Sequence, residues 1–364
     1  MEHRKIIAIL RRYLIYYSTM KKTLKIILAV LAVGLVAAGM VGYSFYKRIY
    51  APNIYVKQSK YLYIADNSDF NAVKDSLFSN FRVNDPDAFV WVAEKKNYPS
   101  KIRGGRYKIT DGMSNNQIVN LLRSGNQEPV RVTFNNLRTI RQLCSKISHQ
   151  LPIDSTYLYN LLTNDEFLRP YGFNSVTCNA LFIPDTYEFY WNTSAEKFIE
   201  RMYSFYKQYW TDERKAKAQK IGLTPLQVSI LASIVQSEQA AHKEEQPIIA
   251  GLYLNRLKID MPLQSCPTLI YAIGDFTIKR VTNKMTEIDS PYNTYKNPGL
   301  PPSPINFPEQ SALNAVLNYQ ANDYIYMCAK SDFSGYHNFS KTYQQHLVYA
   351  KEYQKKLDQR GMWK

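Results

Sequence analysis

Residues 224–238, which read TPLQVSILASIVQSE, contain the helix that decides the fold. Thr224 is a good N-cap residue, Pro225 follows where a missing N–H costs nothing, and Gln227 stands three residues after the cap, as in a capping box. At about 100° per residue, one arc of roughly 200° collects the aliphatic side chains of Leu226, Val228, Ile230, Leu231, Ile234 and Val235. The stretch therefore predicts an amphipathic helix after Thr224.

The same helix places Glu238 near the middle of the apolar arc, whereas Ser229, Ser233 and Gln236 fall outside it. A carboxyl group in apolar surroundings is harder to ionise, so its pKa rises and it can hold a proton near neutral pH. This is what a general acid requires. The alternative is that Glu238 ends the helix and turns into solvent, as a lone Glu near a helix end usually does.

Composition limits the class of protein. The chain has 364 residues, enough for two or three domains, and its 45% hydrophobic and 14% aromatic content excludes a disordered chain. The formal net charge of +16 favours an anionic partner such as a phospholipid surface, an acidic wall polymer or nucleic acid. Because the basic residues are spread along the chain and not clustered, we expect no nucleic-acid partner.

The four cysteines, Cys144, Cys178, Cys266 and Cys328, are far apart and show neither a CxxC pair nor a Cys/His spacing typical of zinc. We interpret them as mostly buried thiols and leave their pairing open. Neither a metal nor a nucleotide cofactor is indicated.

Residues 26–46 carry no charge and are long enough to cross a hydrocarbon core of about 30 Å. Basic residues are more numerous before this run than after it. We therefore predict a transmembrane helix (26–46) in the cytoplasmic (inner) membrane, with a cytoplasmic tail (1–25) and an exported remainder. A cleaved signal peptide is the alternative, but the apolar run is long and the small-residue cleavage pattern is poor. Either Met1 or Met20 can be the start.

The middle of the chain alternates between strand and helix signals. Strands are predicted at 54–65, 105–109, 130–134 and 324–329, and helices at 71–78, 85–95, 115–124, 139–151 and 194–209. The segment PDTYEFY (184–190) reads as extended and offers Tyr187 and Tyr190 as rings for stacking on sugars. A proline-rich loop at 299–305 suits a fixed wall for a ligand, because prolines leave it little entropy to lose.

Five motifs then follow one another in a familiar order. LASIVQSE (231–238), AGLYLNRL (250–257), PLQSCPT (262–268), YNTYKNPGLPPSPI (292–305) and GYHNF (335–339) resemble the YceG-like endolytic murein transglycosylases in order and approximate spacing. The resemblance covers about residues 95–350. GRYKITDGMSNNQIVNLLRSG (105–125) also resembles the family's membrane-proximal module, which is similar to LysM glycan-binding domains. An unrelated α+β spacer is the alternative for that module.

The resemblance implies a lytic transglycosylase that cuts peptidoglycan glycan strands at the membrane, with Glu238 as the catalytic acid. It further implies substrate-binding or supporting roles for Glu245, Asn255, Arg256, Gln264, Tyr292, Asn293, Tyr295, His337 and Asn338. Glu245 can instead be a helix N-terminal charge favoured by the macrodipole, and His337 can be a hydrogen-bonding residue of the fold. Asn293, Tyr295 and Asn338 can equally serve only to fix loops.

The chain departs from the family pattern at two positions near the predicted acid. Many relatives have a second Glu where this chain has Gln236, and Cys266 replaces an Asp of the pattern LQxDPT. If the Glu at position 236 were the essential acid, this protein would be inactive. The position of Gln236 on the serine face favours Glu238 instead.

The implied reaction needs only one carboxyl group. Glu238 protonates the oxygen between MurNAc and GlcNAc, and the resulting carboxylate takes the proton of the MurNAc C6 hydroxyl, which closes a 1,6-anhydro ring. A hydrolase would need a second carboxylate about 5–9.5 Å away. Glu245, Asp275, Glu287 and Asp289 are available for that role. A muramidase and a non-catalytic glycan-binding scaffold of the wall-synthesis machinery therefore remain alternatives.

The predicted fold class is α+β, with a mainly helical catalytic domain and a few strands. After the membrane helix we expect a LysM-like module at 47–129, a connecting region at 130–205 and the catalytic domain at 206–364. The expected partners are peptidoglycan glycan strands and the lipid bilayer. Peptidoglycan synthases are left open as further partners.

Overall fold

A computed structural model describes residues 1–360 of the chain. It is a mixed fold with 56% helix and 10% strand, which confirms the α+β class. The α-helices are α1 Glu2–Tyr50, α2 Phe70–Asn80, α3 Pro86–Lys95, α4 Asn115–Ser124, α5 Ile140–Ser148, α6 Ser155–Leu162, α7 Asp165–Leu168, α8 Ala195–Tyr209, α9 Asp212–Lys220, α10 Pro225–Glu238, α11 Gln246–Lys258, α12 Cys266–Ile273, α13 Gln310–Leu317 and α14 Tyr343–Gln359. The strands are β1 Pro52–Tyr55, β2 Lys60–Ile64, β3 Arg82–Val83, β4 Gly105–Ile109, β5 Met113–Ser114, β6 Val130–Phe134, β7 Asp185–Phe189, β8 Tyr326–Ala329 and β9 His337–Ser340.

Helix α1 contains the apolar run and is long and apolar enough to cross a membrane, since an 18-residue window within it has a mean hydropathy of 2.5. None of its residues is buried against the rest of the protein. The helix begins at Glu2, so it includes the predicted tail as well as the predicted span. A single-pass anchor fits these properties.

The chain divides into two compact units, Met1–Glu128 and Pro129–Lys364. In the first unit β1 pairs antiparallel with β3 and β5, and β2 pairs antiparallel with β4. The prediction of one strand at 54–65 is wrong. The polar residues Lys57, Gln58 and Ser59 bend the chain, so β1 and β2 belong to different sheets.

Helix α4 of the first unit is capped as its sequence predicts. The Ser114 side chain and Gln117 form a capping box, and Gly125 ends the helix in the left-handed conformation with φ of 71°. Its apolar face joins the core formed with α2, α3, β2 and β4, whose fully buried rings include Phe89, Tyr98 and Tyr107. Burial of these rings is the main stabilising contribution to this unit.

The second unit has two hydrophobic cores. The first is built by the β6–β7 pair with α5, α6 and α8. Tyr187 belongs to this core, because its hydroxyl donates to the Ile183 carbonyl over 2.6 Å and its ring lies 4.5 Å from that of Phe205. The prediction that Tyr187 stacks on a sugar is therefore wrong, whereas Tyr190 is exposed.

The second core surrounds α10, which packs against α11 and α13. Here the prediction of a one-sided apolar helix is wrong, since Ser229 and Ser233 are as buried as the aliphatic residues. The proline-rich loop covers the serine face, and the Ile305 N–H donates to the Ser233 hydroxyl oxygen over 3.0 Å. A helix buried on all sides keeps its few polar groups only where they find partners.

All four cysteines are free thiols. Cys144 and Cys178 are buried, Cys328 is half-buried and Cys266 is exposed. The expectation of mostly buried thiols therefore does not extend to Cys266. Burial raises the pKa of both the Cys144 and the Cys178 thiol to about 12. These two thiols are consequently protonated and unreactive at neutral pH.

Candidate active site

Glu238 is the last residue of α10, and its carboxyl group lies between α10, α11 and the start of α12. Its Oε1 accepts a hydrogen bond from the Tyr253 hydroxyl over 2.8 Å and another from the Ser265 hydroxyl. Burial raises the pKa of this carboxyl, and the bonds from Ser265 and Tyr253 offset part of the rise. The charges of His337 and Arg256 act in the same direction as those two bonds. The net result is an acid that is harder to ionise than a free Glu.

The two hydroxyl groups leave the carboxyl oxygens inequivalent. Both bonds go to Oε1, and neither involves Oε2. Burial and the neighbouring carboxyl raise the pKa of Tyr253 well above its usual value, so its hydroxyl remains a donor. Because both donors hold Oε1 as an acceptor, a proton on Glu238 belongs on Oε2.

A second carboxyl group, that of Glu245, is buried in the turn between α10 and α11. Its Oε1 accepts from the His337 backbone N–H over 3.0 Å, and its Oε2 accepts from His337 Nδ1 over 2.9 Å and from Gln239 Nε2 over 2.8 Å. Since a carboxylate oxygen can only accept, Nδ1 of His337 carries the proton and Nε2 is left free of this contact. Glu245 therefore holds the His337 side chain in one orientation.

Several other predicted site residues serve mainly to hold loops. Arg256 is buried and donates to the carbonyl oxygens of Pro262, Leu263 and Ile325. Asn255 donates to the carbonyl oxygens of Asn322 and Tyr324. These two side chains of α11 tie the segments at 262–263 and 322–325 to one helix. Arg256 also places a cation close enough to favour ionised Glu238.

The predicted residues of the loop after α12 differ in exposure. Asn293 is fully buried, donates to the carbonyls of Thr286 and Ile288 and accepts from the Tyr295 N–H, so it fixes the loop. The Tyr292 hydroxyl bonds to that of Ser303 over 2.6 Å. The Tyr295 hydroxyl lies 3.1 Å from Cys266 Sγ. Burial raises the pKa of Tyr295, and the contact with Cys266 and the charge of the Glu238 carboxyl act in the same direction.

Gln264 and Asn338 complete the predicted set. Gln264 is exposed and has a left-handed backbone with φ of 50°, which turns the chain just before Ser265. Asn338 follows His337 in β9 and pairs with Cys328 of β8. Neither residue hydrogen-bonds to Glu238 within the described part of the chain. Asp275, Glu287 and Asp289, available as second carboxylates, are all exposed.

Sequence reasoning missed three residues that the fold brings to this site: Tyr253, Ser265 and Gln239. Tyr253 sits inside the apolar motif AGLYLNRL, where a tyrosine reads as core, and Ser265 sits inside PLQSCPT. For Tyr253 and Ser265 the only sequence signal was their place in these motifs, and Gln239 lies outside all five. The contact itself depends on how α10, α11 and α12 pack.

Gln236 points away from Glu238, as the helical wheel predicts. Its Oε1 accepts from the Glu309 N–H over 2.7 Å, and its Nε2 donates to the Phe307 carbonyl over 3.3 Å. The carboxamide therefore bridges a donor and an acceptor of the chain entering α13. A carboxylate cannot make both bonds, because it has no proton to donate.

Gln236→Glu is accordingly expected to lower the free energy of unfolding by about 1–3 kcal/mol, the cost of facing a carboxylate with an unpaired carbonyl. Glycan cleavage per folded molecule should change less than about threefold, which corresponds to the roughly 0.5 kcal/mol by which substitutions away from special features usually act. Urea denaturation and turnover of the same samples measure the two effects. A large gain in turnover would show that position 236 takes part in the chemistry.

This chain is similar to known proteins in its family motifs, in its overall sequence and in its fold. The model of the YceG-like family matches residues 62–352. The chain is 30% identical over 306 residues to an endolytic murein transglycosylase of Bacillus subtilis, covering 80% of this chain and 83% of that one. It is 27% identical to one from Streptococcus pneumoniae strain D39, of which it spans 58%. A 2.6 Å crystal structure of a yceG-like protein from Listeria monocytogenes matches with a TM-score of 0.53 at 27% identity, covering 80% of this chain and 99% of that one.

Proposed function

Because the chain belongs to the YceG-like family, we propose that it is an endolytic murein transglycosylase held at the membrane by α1. The proposed reaction cleaves the bond between MurNAc and GlcNAc within a nascent peptidoglycan strand. The observation that carries the proposal is the state of Glu238, a carboxyl group whose pKa is raised by burial and whose Oε1 is held by two hydroxyl groups.

In the first half-reaction Glu238 acts as a general acid. Its Oε2 proton passes to the glycosidic oxygen, the bond from MurNAc C1 to that oxygen breaks, and the GlcNAc-terminated fragment leaves as an alcohol. Positive charge develops at C1 and the ring oxygen of MurNAc. The new Glu238 carboxylate stays near this charge and is stabilised by the hydroxyl groups of Ser265 and Tyr253.

In the second half-reaction the same group acts as a base. The carboxylate takes the proton of the MurNAc C6 hydroxyl while the oxygen at C6 bonds to C1, giving the 1,6-anhydro ring and restoring the acid. Two effects act on the pKa of Glu238 in opposite directions, and together they suit a group that must be first an acid and then a base. Burial favours the protonated form needed first, and the hydroxyl groups favour the ionised form needed second.

We propose that His337 binds substrate beside Glu238 and that Glu245 holds it for that purpose. Three donors converge on the Glu245 carboxylate, which fixes the imidazole with its Nε2 free to meet a sugar hydroxyl or acetamido group. Tyr295 and Gln264 are proposed to contact the glycan strand. The proposed role of the other predicted residues is to support the loops around the glycan strand; these are Asn255, Arg256, Tyr292, Asn293 and Asn338.

The products decide the reaction. Purified protein should convert uncrosslinked glycan strands to fragments with 1,6-anhydro-MurNAc ends, detected by mass spectrometry at 18 Da below the reducing form. Strands incubated with the Glu238→Gln variant provide the control. Reducing MurNAc ends would instead indicate a muramidase, and binding without shortening would indicate a scaffold.

The proposed topology has the N-terminus in the cytoplasm and the catalytic unit outside it. It rests on the excess of basic residues before residue 26 and on the apolar α1. A reporter that is active only outside the cytoplasm should be active when fused after Lys364 and inactive when fused before Met1. The opposite pattern would leave the enzyme without its substrate.

The proposed LysM-like module at 47–129 lies in the first unit except for its last residue. Its small antiparallel sheets, with α2 to α4 packed on them, are compatible with a glycan-binding role, and we retain that role as a proposal. The remaining proposed boundaries are a tail at 1–25, a membrane span at 26–46, a connecting region at 130–205 and a catalytic domain at 206–364.

A further inference from the structure

A cavity of about 210 Å³ lies beside the end of α10, on the side of the helix that carries Gln236 and Ser237. Its lining begins one residue from Glu238, at Ser237, and two residues from Ser265, at Pro267. About 10–15 Å³ is enough for one water molecule, so this cavity can take a group of many atoms. The reaction proposed above leaves it unused.

Two buried carboxamides, those of Gln246 and Asn306, belong to residues that line the cavity. Gln246 and Asn306 are 1% and 6% exposed, and the oxygen of each has no hydrogen-bond partner among residues 1–360. Their orientation is fixed by their nitrogens, because Gln246 Nε2 donates to the Gln239 carbonyl and Asn306 Nδ2 donates to the Ser233 carbonyl. Buried acceptors without donors are rare in folded proteins. Unpaired acceptors on two lining residues therefore favour a ligand that carries N–H or O–H groups.

The rim of the cavity carries a net positive charge. Lys243 and Glu309 form an ion pair of 2.6 Å, so their charges offset each other. Arg138 is exposed, its guanidinium lies 4.8 Å above the ring of Phe276, and within the described chain it has no ion-pair partner. Pro267, Ile270 and Phe276 add an apolar wall. The ligand should therefore combine an anionic end, a small apolar part and inner donor groups.

We propose that this cavity binds the peptide stem of the MurNAc residue at the cleavage point, an inference that rests on the proposed function. A stem joined through the MurNAc lactyl group presents amide N–H groups, small methyl groups and carboxylates in sequence. The N–H groups match the oxygens of Gln246 and Asn306, and a carboxylate matches Arg138. A MurNAc without its stem keeps one carboxylate, on its lactyl group, but it lacks the amide N–H groups, the methyl groups and the more distant carboxylates of the stem.

The cavity makes the enzyme selective for glycan that still carries its peptides. Strands stripped of stems by an amidase keep the scissile bond and gain a lactyl carboxylate, but they lose the amide N–H groups, the methyl groups and the carboxylates of the stem. Wild-type kcat/KM should be about tenfold higher for intact strands, the lower range for a charge-assisted hydrogen bond with amide contacts. Selectivity is read as the ratio of the two kcat/KM values, because the two substrates differ only in the stem.

The test compares Arg138→Gln with Arg141→Gln on intact and amidase-stripped strands. Both arginines are exposed and lie over an aromatic ring, but Arg141 lies over Tyr159 and outside the cavity lining. Arg138→Gln should lower kcat/KM for intact strands about three- to tenfold and leave stripped strands unchanged. Arg141→Gln should change neither value. Ala240→Leu, which places a larger side chain at the cavity rim, should reproduce the effect of Arg138→Gln.

Binding to the Glu238→Gln variant separates this inference from the proposed reaction. A soluble MurNAc-peptide should bind several-fold more tightly than MurNAc alone, and adding Arg138→Gln should remove the difference. Equal binding of the two ligands, or equal cleavage of intact and stripped strands by the wild type, would overturn the stem-binding site. An equal loss on both strands in Arg138→Gln would instead assign the cavity to the glycan. If the protein bound the peptide-bearing ligand selectively but cleaved no strand, the proposed reaction would be rejected and the stem-binding site would be retained.

Discussion

Glu238→Gln is expected to lower the rate of 1,6-anhydro-MurNAc formation by about 10³- to 10⁴-fold, the upper part of the range for general acid–base catalysis. The loss is large because one carboxyl group serves both half-reactions. The carboxamide oxygen can still accept from Tyr253 and Ser265, as Oε1 does now, so the surrounding contacts are kept. Release of anhydro ends at equal folded concentration measures the effect.

The same substitution should not destabilise the fold. Because the folded-state pKa of Glu238 is raised above its unfolded value, folding favours the protonated carboxyl, and this contribution is lost as pH rises through the folded pKa. Glu238→Gln removes the penalty of ionisation. Its melting temperature should match that of the wild type at acid pH and exceed it progressively as the pH rises. A variant that melts early would mean that lost activity reports unfolding.

The activity of the wild type should also fall as the pH rises. The first half-reaction needs protonated Glu238, so kcat/KM should fall on the alkaline side as this carboxyl ionises, at a pH above the ordinary range for Glu. Glu244→Gln is the matched control, because Glu244 is exposed and its hydrogen bond from Tyr336 lowers its pKa. Near-normal turnover by Glu238→Gln would refute the assignment and move the test to Glu245 and then Glu244.

Glu245→Gln is expected to lower kcat about 10- to 100-fold while leaving Glu238 in place, the scale of effect that a misplaced substrate group has on rate. The carboxylate of Glu245 accepts from His337 twice and from Gln239 once. A carboxamide has one acceptor oxygen and turns an NH₂ group toward those donors, so the imidazole loses its fixed orientation. The buried position adds a loss of about 2–3 kcal/mol in unfolding free energy.

Two measurements separate positioning from simple destabilisation. The ring nitrogen chemical shifts of His337 should report a proton fixed on Nδ1 in the wild type and a mixture of tautomers in Glu245→Gln. Glu213→Gln, which breaks a surface ion pair with Lys217, should change neither the shifts nor kcat. If Glu245→Gln keeps full turnover after correction for the folded fraction, Glu245 serves the fold alone.

Local sequence signals were enough for most elements. The capping boxes at Ser114, Thr139 and Thr224 and the glycine at 125 mark helix ends that depend only on neighbouring residues. The prediction of one strand at 54–65 fails because strand pairing is not a local property. Alternation alone does not reveal that a polar bend sends the two halves to different sheets, since pairing partners are distant in sequence.

The site divides in the same way. The periodicity of residues 224–238 is enough to separate Glu238 from Gln236, because side-chain direction within one helix follows from its fixed turn angle. The five motifs identify the family, because their order along the chain is itself sequence information.

Tertiary structure alone decided which groups meet Glu238. Tyr253 and Ser265 reach its Oε1 from α11 and from the start of α12, and Glu245 meets His337 across 92 positions of the chain. It also buried Ser229 and Ser233, the second of them against the proline-rich loop, where the helical wheel had placed a polar face. Contacts between distant segments depend on how whole elements pack, and the residues of one helix carry no record of what covers them.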